Sequence, residues 1–190
     1  MKFTVLVGAV LFGGHSAQAF YLPGASPQSF EDNEIVELKV NKMTSIADPY
    51  PLEYYHLPFC KPSNGIHKKN ENLGEFLQGD RIESSPYVIK MKTDMYCEHV
   101  CTTYLGRGET VVAGKTSKGK STKMVDSIRK KYHNNWIVDN LPAASKGEYT
   151  GTDDAIKYWM GFPVGAVDAD SGISYINNHV NIELKYHTVE

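Results

Sequence analysis

Apolar and polar side chains alternate along three stretches of the chain, and each alternation predicts a half-buried strand. In Glu34–Lys42, Val36, Leu38 and Val40 share one face, while Glu37, Lys39 and Asn41 share the other. In Pro86–Lys92, Tyr87, Ile89 and Met91 fall on one side. The clearest alternation lies near the C-terminus, where Val180, Ile182, Leu184 and Tyr186 interleave with Asn181, Glu183, Lys185 and His187. Trp136–Leu141 adds a short apolar run ending at Pro142. Helical periodicity is scarcer. Thr122–His133 places Met124, Val125, Ile128 and Tyr132 on one face, with Arg129, Lys130 and Lys131 in the last turn, where the helix dipole favours cations. Glu71–Gln78 reads as a short helix closed by Gly79, and Asp153–Met160 as another capped by Asp153 or Asp154. Thr110–Ala113 reads as a strand. Loops rich in Pro and Gly, such as Asp48–Pro51, Pro58–Gly65 and Arg107–Gly108, separate these elements. The pattern predicts a β-rich α+β domain, a β-sandwich-like arrangement with short helical insertions. Its last strand runs almost to Glu190, so the domain is expected to be incomplete at the C-terminus and to belong to a larger unit.

The first residues break the pattern. Lys2 precedes the ten-residue apolar run Phe3–Phe12, and Ala17-Gln18-Ala19 supplies a small-x-small cleavage site. Residues 1–19 therefore read as a secretory signal peptide, leaving 20–190 as one domain in an oxidising, lumenal or extracellular space. The run is too short to span a bilayer comfortably, and no other long apolar stretch follows, so a multi-pass membrane protein is not expected from these residues. No Asn-x-Ser/Thr sequon is present. Composition fits this picture: 190 residues, 41% hydrophobic, 20 Lys and Arg against 22 Asp and Glu, and a formal net charge of −2. These values argue against a disordered or collagen-like chain, and against a strongly basic nucleic-acid binder.

Four features bear on chemistry. Gly114–Ser121 (GKTSKGKS) fits the phosphate-binding pattern G-x-x-x-x-G-K-[ST], whose Lys120 and Ser121 would serve phosphate and Mg²⁺. However, that fold needs a parallel sheet and a second acidic strand end. Asp139 is the nearest mimic, and the residues after Thr122 leave no room for the crossover. Next, Cys60, Cys97 and Cys101, with His99, could form a closed Cys₃His zinc site. The compartment favours instead a disulfide from Cys60 to Cys97 or Cys101, leaving one thiol. His56, His67, His133, His179 and His187 show no metalloprotease spacing, although His179 and His187 could titrate as lumenal pH falls. Finally, Tyr54, Tyr55, Phe59, Trp136, Tyr158, Trp159 and Phe162 suit a core or a recognition groove. None of these singles out a catalytic, cofactor-binding or metal-binding set, so no enzyme and no cofactor are expected.

A further set of strings follows one another in order. They are Phe20–Gly24, Val36–Ser45, Tyr54–Pro62 (YYHLPFCKP), Glu71–Ile82 (ENLGEFLQGDRI), Ser85-Pro86-Tyr87, the Cys-x₃-Cys pair, Asn135–Pro142 (NWIVDNLP), Gly161–Gly165 and Tyr175–Val180. Together they resemble the N-terminal lumenal region of the nonaspanins, the transmembrane-nine superfamily of endomembrane proteins. The resemblance implies a β-rich lumenal head, followed in the family by nine spans. It also implies residence in Golgi and endosomal membranes and a part in localising other membrane proteins. The partners it implies are membrane-protein cargo or the nine-span domain, with membrane association through that missing C-terminal part and no role for nucleic acid. No catalytic residues are carried over. Two other readings stay open: a free-standing secreted binding domain, and a P-loop nucleotide-binding protein.

Overall fold

The computed structural model describes residues 28–69, 73–106, 110–112, 115–117, 119–147 and 157–188. The expected signal peptide thus lies outside the described residues. The chain enters with β1 (Ile35–Val40) and the short β2 (Thr44–Ser45), then a 3₁₀ turn at Tyr54–His56. Helix α1 (Leu73–Leu77) precedes the long strand β3 (Glu83–Lys90). β4 (Thr110–Val112) and β5 (Lys115–Ser117) lead into α2 (Lys120–Arg129). After it come β6 (Tyr132–Asn134), β7 (Trp136–Val138), β8 (Leu141–Pro142), β9 (Ala144–Lys146), β10 (Tyr158–Met160), β11 (Phe162–Pro163), β12 (Gly165–Val167) and β13 (Ser174–Ile176). The strands pair antiparallel into several small sheets, so the β-rich α+β expectation holds.

The largest sheet has the order β3-β1-β7-β8. β1 sits inside it, and its alternation decides which side is buried. Val36, Leu38 and Val40 are buried, whereas Ile35 on the other face is 60% exposed. β3 is an edge strand, which tolerates Pro86 and its missing N–H. The pairing shifts between Glu37 and Lys39, opposite Ser85–Tyr87. There the Ser85 hydroxyl donates to the Leu38 carbonyl at 2.6 Å, a bond the ladder cannot make. β7 and β8 are joined by Asp139 and Asn140, both left-handed (φ 47° and 59°), the two-residue hairpin turn that suits strand twist.

A second sheet, β11-β6-β2, and helix α2 complete the core. Met124, Ser127 and Ile128 are buried at helical spacing, and the Ser127 hydroxyl donates to the Met124 carbonyl. Leu38, Val40, Met43, Tyr54, Leu57, Tyr132, Trp136 and Val164 pack with Met124 and Ile128 in one cluster. Trp136 lies against Tyr87 (centroids 4.5 Å apart) and edge-on to Phe162 (4.7 Å). At Gly165 a side chain would meet the Tyr175 carbonyl at 2.1 Å and Ile128 at 2.9 Å, so β12 reaches β13 and α2 through bare backbone.

Three expectations are corrected. Residues 177–188 form no strand. They are almost wholly exposed and pair with no described strand, so the alternation of Val180–Tyr186 has no ladder that would bury its apolar face. Tyr158–Met160 is strand, not helix, drawn into pairing by Ala144–Lys146, while 148–156 lie outside the described residues. The α2 helix stops at Arg129 rather than His133. Lys131 turns left-handed (φ 55°), releasing Tyr132–Asn134 to pair with both β2 and β11.

Leu38→Ala should cost about 2–5 kcal/mol in urea denaturation, and Ile35→Ala, on the exposed face of the same strand, less than about 0.5 kcal/mol. Equal costs would overturn this assignment of faces.

Candidate functional site

The phosphate-loop string does not fold as a phosphate loop. Lys115–Ser117 forms an antiparallel hairpin with Thr110–Val112, where a wide loop would be required. Lys120 and Ser121 instead open α2 behind Gly119. Asp139, the stand-in for the second acid, sits in the β7–β8 turn of an antiparallel sheet. The string is therefore divided between a strand and a helix start.

The structure bonds Cys60 to Cys101, with Cα atoms 5.9 Å apart, and leaves Cys97 as an exposed free thiol. That bond uses two of the four groups a Cys₃His site would need, and the His99 ring lies 3.0 Å from the Thr102 hydroxyl. No cluster of three or more His, Cys, Asp or Glu suited to a metal occurs among the described residues. The bond serves a mechanical purpose. Lys92–Gly106 has no regular secondary structure beyond its opening turn and is nearly all exposed. Cys60 follows a packed aromatic group, Tyr54 stacked on Phe59 at 4.5 Å and edge-on to Tyr55 at 5.0 Å. The disulfide thus moors an open, Tyr96- and Tyr104-bearing segment to the core.

The ionisable groups around this mooring act as braces. Burial holds the Tyr54 phenol well above its ordinary range. Burial, with the nearby Glu83 carboxylate, pushes Tyr55 up to about 12, and its hydroxyl donates to the Ser84 carbonyl at 2.6 Å. Both phenols stay protonated donors. Burial also raises Glu83, helped by the neighbouring Glu53 charge and opposed by Arg81 and Lys68. Arg81 pairs with Glu53. His56, His67, His179 and His187 are exposed and scattered; His179 faces Asn181 at 3.2 Å.

Of the seven aromatics singled out by sequence, Tyr54, Tyr55, Phe59, Trp136 and Phe162 belong to the core or pack against it. Tyr158 and Trp159 are exposed on β10 beside Met160. The sequence pattern missed a second display site, the turn from Ser45 to Tyr50. The Ser45 hydroxyl donates to the Lys130 carbonyl and accepts the amides of Ala47 (2.9 Å) and Asp48 (3.2 Å). One Asp48 oxygen accepts the Tyr50 amide (3.1 Å), and the other meets the Lys130 ammonium (2.6 Å). The Tyr132 hydroxyl donates to the Tyr50 carbonyl at 2.7 Å. The signal for this turn was present in Ser45 and Asp48, residues that bond backbone amides two or three positions on. The Lys130 ammonium, followed by the Tyr50 amide, holds the Asp48 carboxyl below its usual range, and Lys130 is raised in return.

Residues 51–190 match the family described as Endomembrane protein 70. Among curated proteins, the chain is 38% identical over 189 residues to Transmembrane 9 superfamily member 11 of Arabidopsis thaliana, covering 100% of this chain and 26% of that protein. It is 34% identical over 177 residues to Transmembrane 9 superfamily member 4 of Homo sapiens, covering 89% of this chain and 26% of that protein. The chain therefore spans about a quarter of the length of these relatives. No solved structure matches it. No helix among the described residues is long and apolar enough to cross a membrane.

Thiol counting on denatured, unreduced protein should find one reactive thiol. Cys97→Ser should leave the melting temperature unchanged, whereas Cys60→Ser or Cys101→Ser should cost ~4 kcal/mol, the loop-entropy figure for a closure of this length. Three free thiols would refute the mooring. A second prediction concerns pH. Asp48 is depressed in the folded protein, so its contribution is present above its unfolded pKa of about 4 and is lost as pH falls through the lower folded value. Lys130 is raised, so its contribution is lost only as pH climbs past about 10.4. Exchange of the Ala47, residue 48 and Tyr50 amides should be faster in Asp48→Asn than in the parent by a constant factor from about pH 5 to pH 9. That difference should shrink below pH 4; a difference unchanged at pH 2 would exclude the ion pair as its source.

Proposed function

The chain belongs to the Endomembrane protein 70 family, and from that premise we propose that it serves as the lumenal head of a Transmembrane 9 superfamily protein. In this reading it helps localise other membrane proteins in Golgi and endosomal membranes and carries out no catalysis of its own. The observation that carries the reading is the family match over residues 51–190. Two others support it. The apolar run before Ala17-Gln18-Ala19 has the form of a secretory signal. The Cys60–Cys101 bond suits an oxidising lumen rather than a reducing cytosol.

In physical terms, such a head recognises partners by surface rather than by reaction. Exposed Tyr96 and Tyr104, in the segment that the Cys60–Cys101 bond ties to the core, and exposed Tyr158 and Trp159 on β10 are the side chains that would offer such a surface. Aromatic side chains suit that task because each offers a large area with few rotatable bonds.

The test uses an antibody raised against residues 20–190. Membranes are extracted at alkaline pH, and sealed vesicles are treated with protease with and without detergent. A band far larger than this chain should resist extraction, and its epitope should survive protease until detergent is added. A soluble band of the chain's own mass, or digestion in sealed vesicles, would overturn the reading.

A further inference from the structure

The segment moored by the disulfide has few other ties. Among the described residues, every hydrogen bond of 94–106 runs to a partner within three positions: Tyr96 to Asp94, the His99 ring to Thr102, and Thr103 to the Cys101 sulfur. The segment contributes no strand to any sheet. The Cys60–Cys101 bond therefore carries its attachment. The third sulfur sits on the same segment. Cys97 is an exposed thiol four residues before Cys101. Cys101 is itself exposed, with its sulfur 3.6 Å from the Thr103 hydroxyl, whereas Cys60 is half-buried. The chain is not stretched taut between Cys97 and Cys101. Cys97 holds a left-handed backbone (φ 51°), and the His99 ring lies 3.0 Å from the Thr102 hydroxyl. One irregular segment thus bears both a nucleophile and the bond it attacks. A tether of three residues gives that nucleophile a high effective concentration.

We infer that the mooring is an internal thiol–disulfide switch, in which Cys97 displaces Cys60 from Cys101 and releases Lys92–Gly106 from the core. The Cys97 thiol gives its proton to water, and the thiolate attacks the Cys101 sulfur. The Cys97–Cys101 bond forms, the Cys60–Cys101 bond breaks, and Cys60 leaves as a thiolate that takes a proton from water. One disulfide and one thiol stand on each side of the exchange, so no oxidant or reductant is consumed. Access decides which sulfur is attacked. Cys101 lies in the open, while Cys60 is half-buried next to Phe59 of the packed aromatic group. In the moored form Tyr96 and Tyr104 are displayed at a fixed distance from that aromatic group. In the released form the segment is held at its two chain ends alone. A partner that binds the released form better draws the exchange towards it. The switch belongs to the chain itself and operates whether or not the chain serves as a lumenal head.

The experiment follows where the free thiol resides. The oxidised chain is kept without reductant or oxygen at about pH 8, and samples taken over time are acidified and blocked with N-ethylmaleimide before digestion. Trypsin separates Cys60 from a peptide, Thr93–Arg107, that holds both Cys97 and Cys101. A fraction of the chain should carry its label on Cys60, with an unlabelled Thr93–Arg107 peptide closed by its own disulfide. That fraction should rise to a plateau, rise faster at higher pH because the thiolate is the attacking form, and stay unchanged on tenfold dilution. It should be lost in Cys97→Ser. Label on Cys97 alone at every time and pH would overturn the switch. So would label on Cys101 from a Cys60–Cys97 bond, label on all three cysteines, or a Cys60 fraction that falls with dilution. The pH and dilution arms use the unsubstituted chain, so they decide the matter even if Cys97→Ser folds poorly.

Discussion

Everything in this molecule hangs on the buried face of β1. Val36, Leu38 and Val40 are the side chains against which β3 and β7 align, and Leu38 and Val40 enter the cluster that also takes in α2 and Val164. The register on β3 is irregular at Ser85–Tyr87, but the face is not lost. The bulge absorbs the extra residues, and the Ser85 hydroxyl supplies the bond that Pro86 prevents. The aromatic packing of Tyr87, Trp136 and Phe162 then joins the sheet to the β6 strand group.

Outside that core, order is maintained by local devices. The sheets beyond the first two are two-stranded pieces, which are marginal by themselves. Segments without sheet are held by other means. The Cys60–Cys101 bond moors Lys92–Gly106, the Asp48–Lys130 pair and the Ser45 hydroxyl lock the turn at Ile46, and Asn177 ties the last segment to Pro163 and Val164. Among the described residues the result is a small apolar centre carrying exposed, irregular segments that are each tied to it at a few points. In the proposed reading, the head of a Transmembrane 9 superfamily protein would use such a surface for contact.

The candidate site was legible in part. A disulfide at Cys60 was within the reach of three cysteines and a signal peptide, yet spacing could not choose between Cys97 and Cys101, because the choice depends on where an irregular segment crosses the aromatic group. The phosphate-loop string misled because its residue types say nothing of the hairpin that Thr110–Val112 and Lys115–Ser117 make. The turn at Ile46 went unread because its bracing partners, Lys130 and Tyr132, are more than eighty residues away.

By itself the sequence determined the elements whose periodicity is satisfied locally. β1, β3, α2 and the Gly79 stop of α1 could be read in the right places, since burial of one face at a period of 2 or 3.6 is written in the residues themselves. The tertiary structure decided what depends on a neighbour. It made Tyr158–Met160 a strand because Ala144–Lys146 presented an edge, and it ended α2 early because Tyr132–Asn134 was wanted between β2 and β11. It left Val180–Tyr186, the best alternation in the chain, without a sheet. A strand is a pairing and not a property of one segment, so a pattern can state which face would be buried but only a partner can bury it.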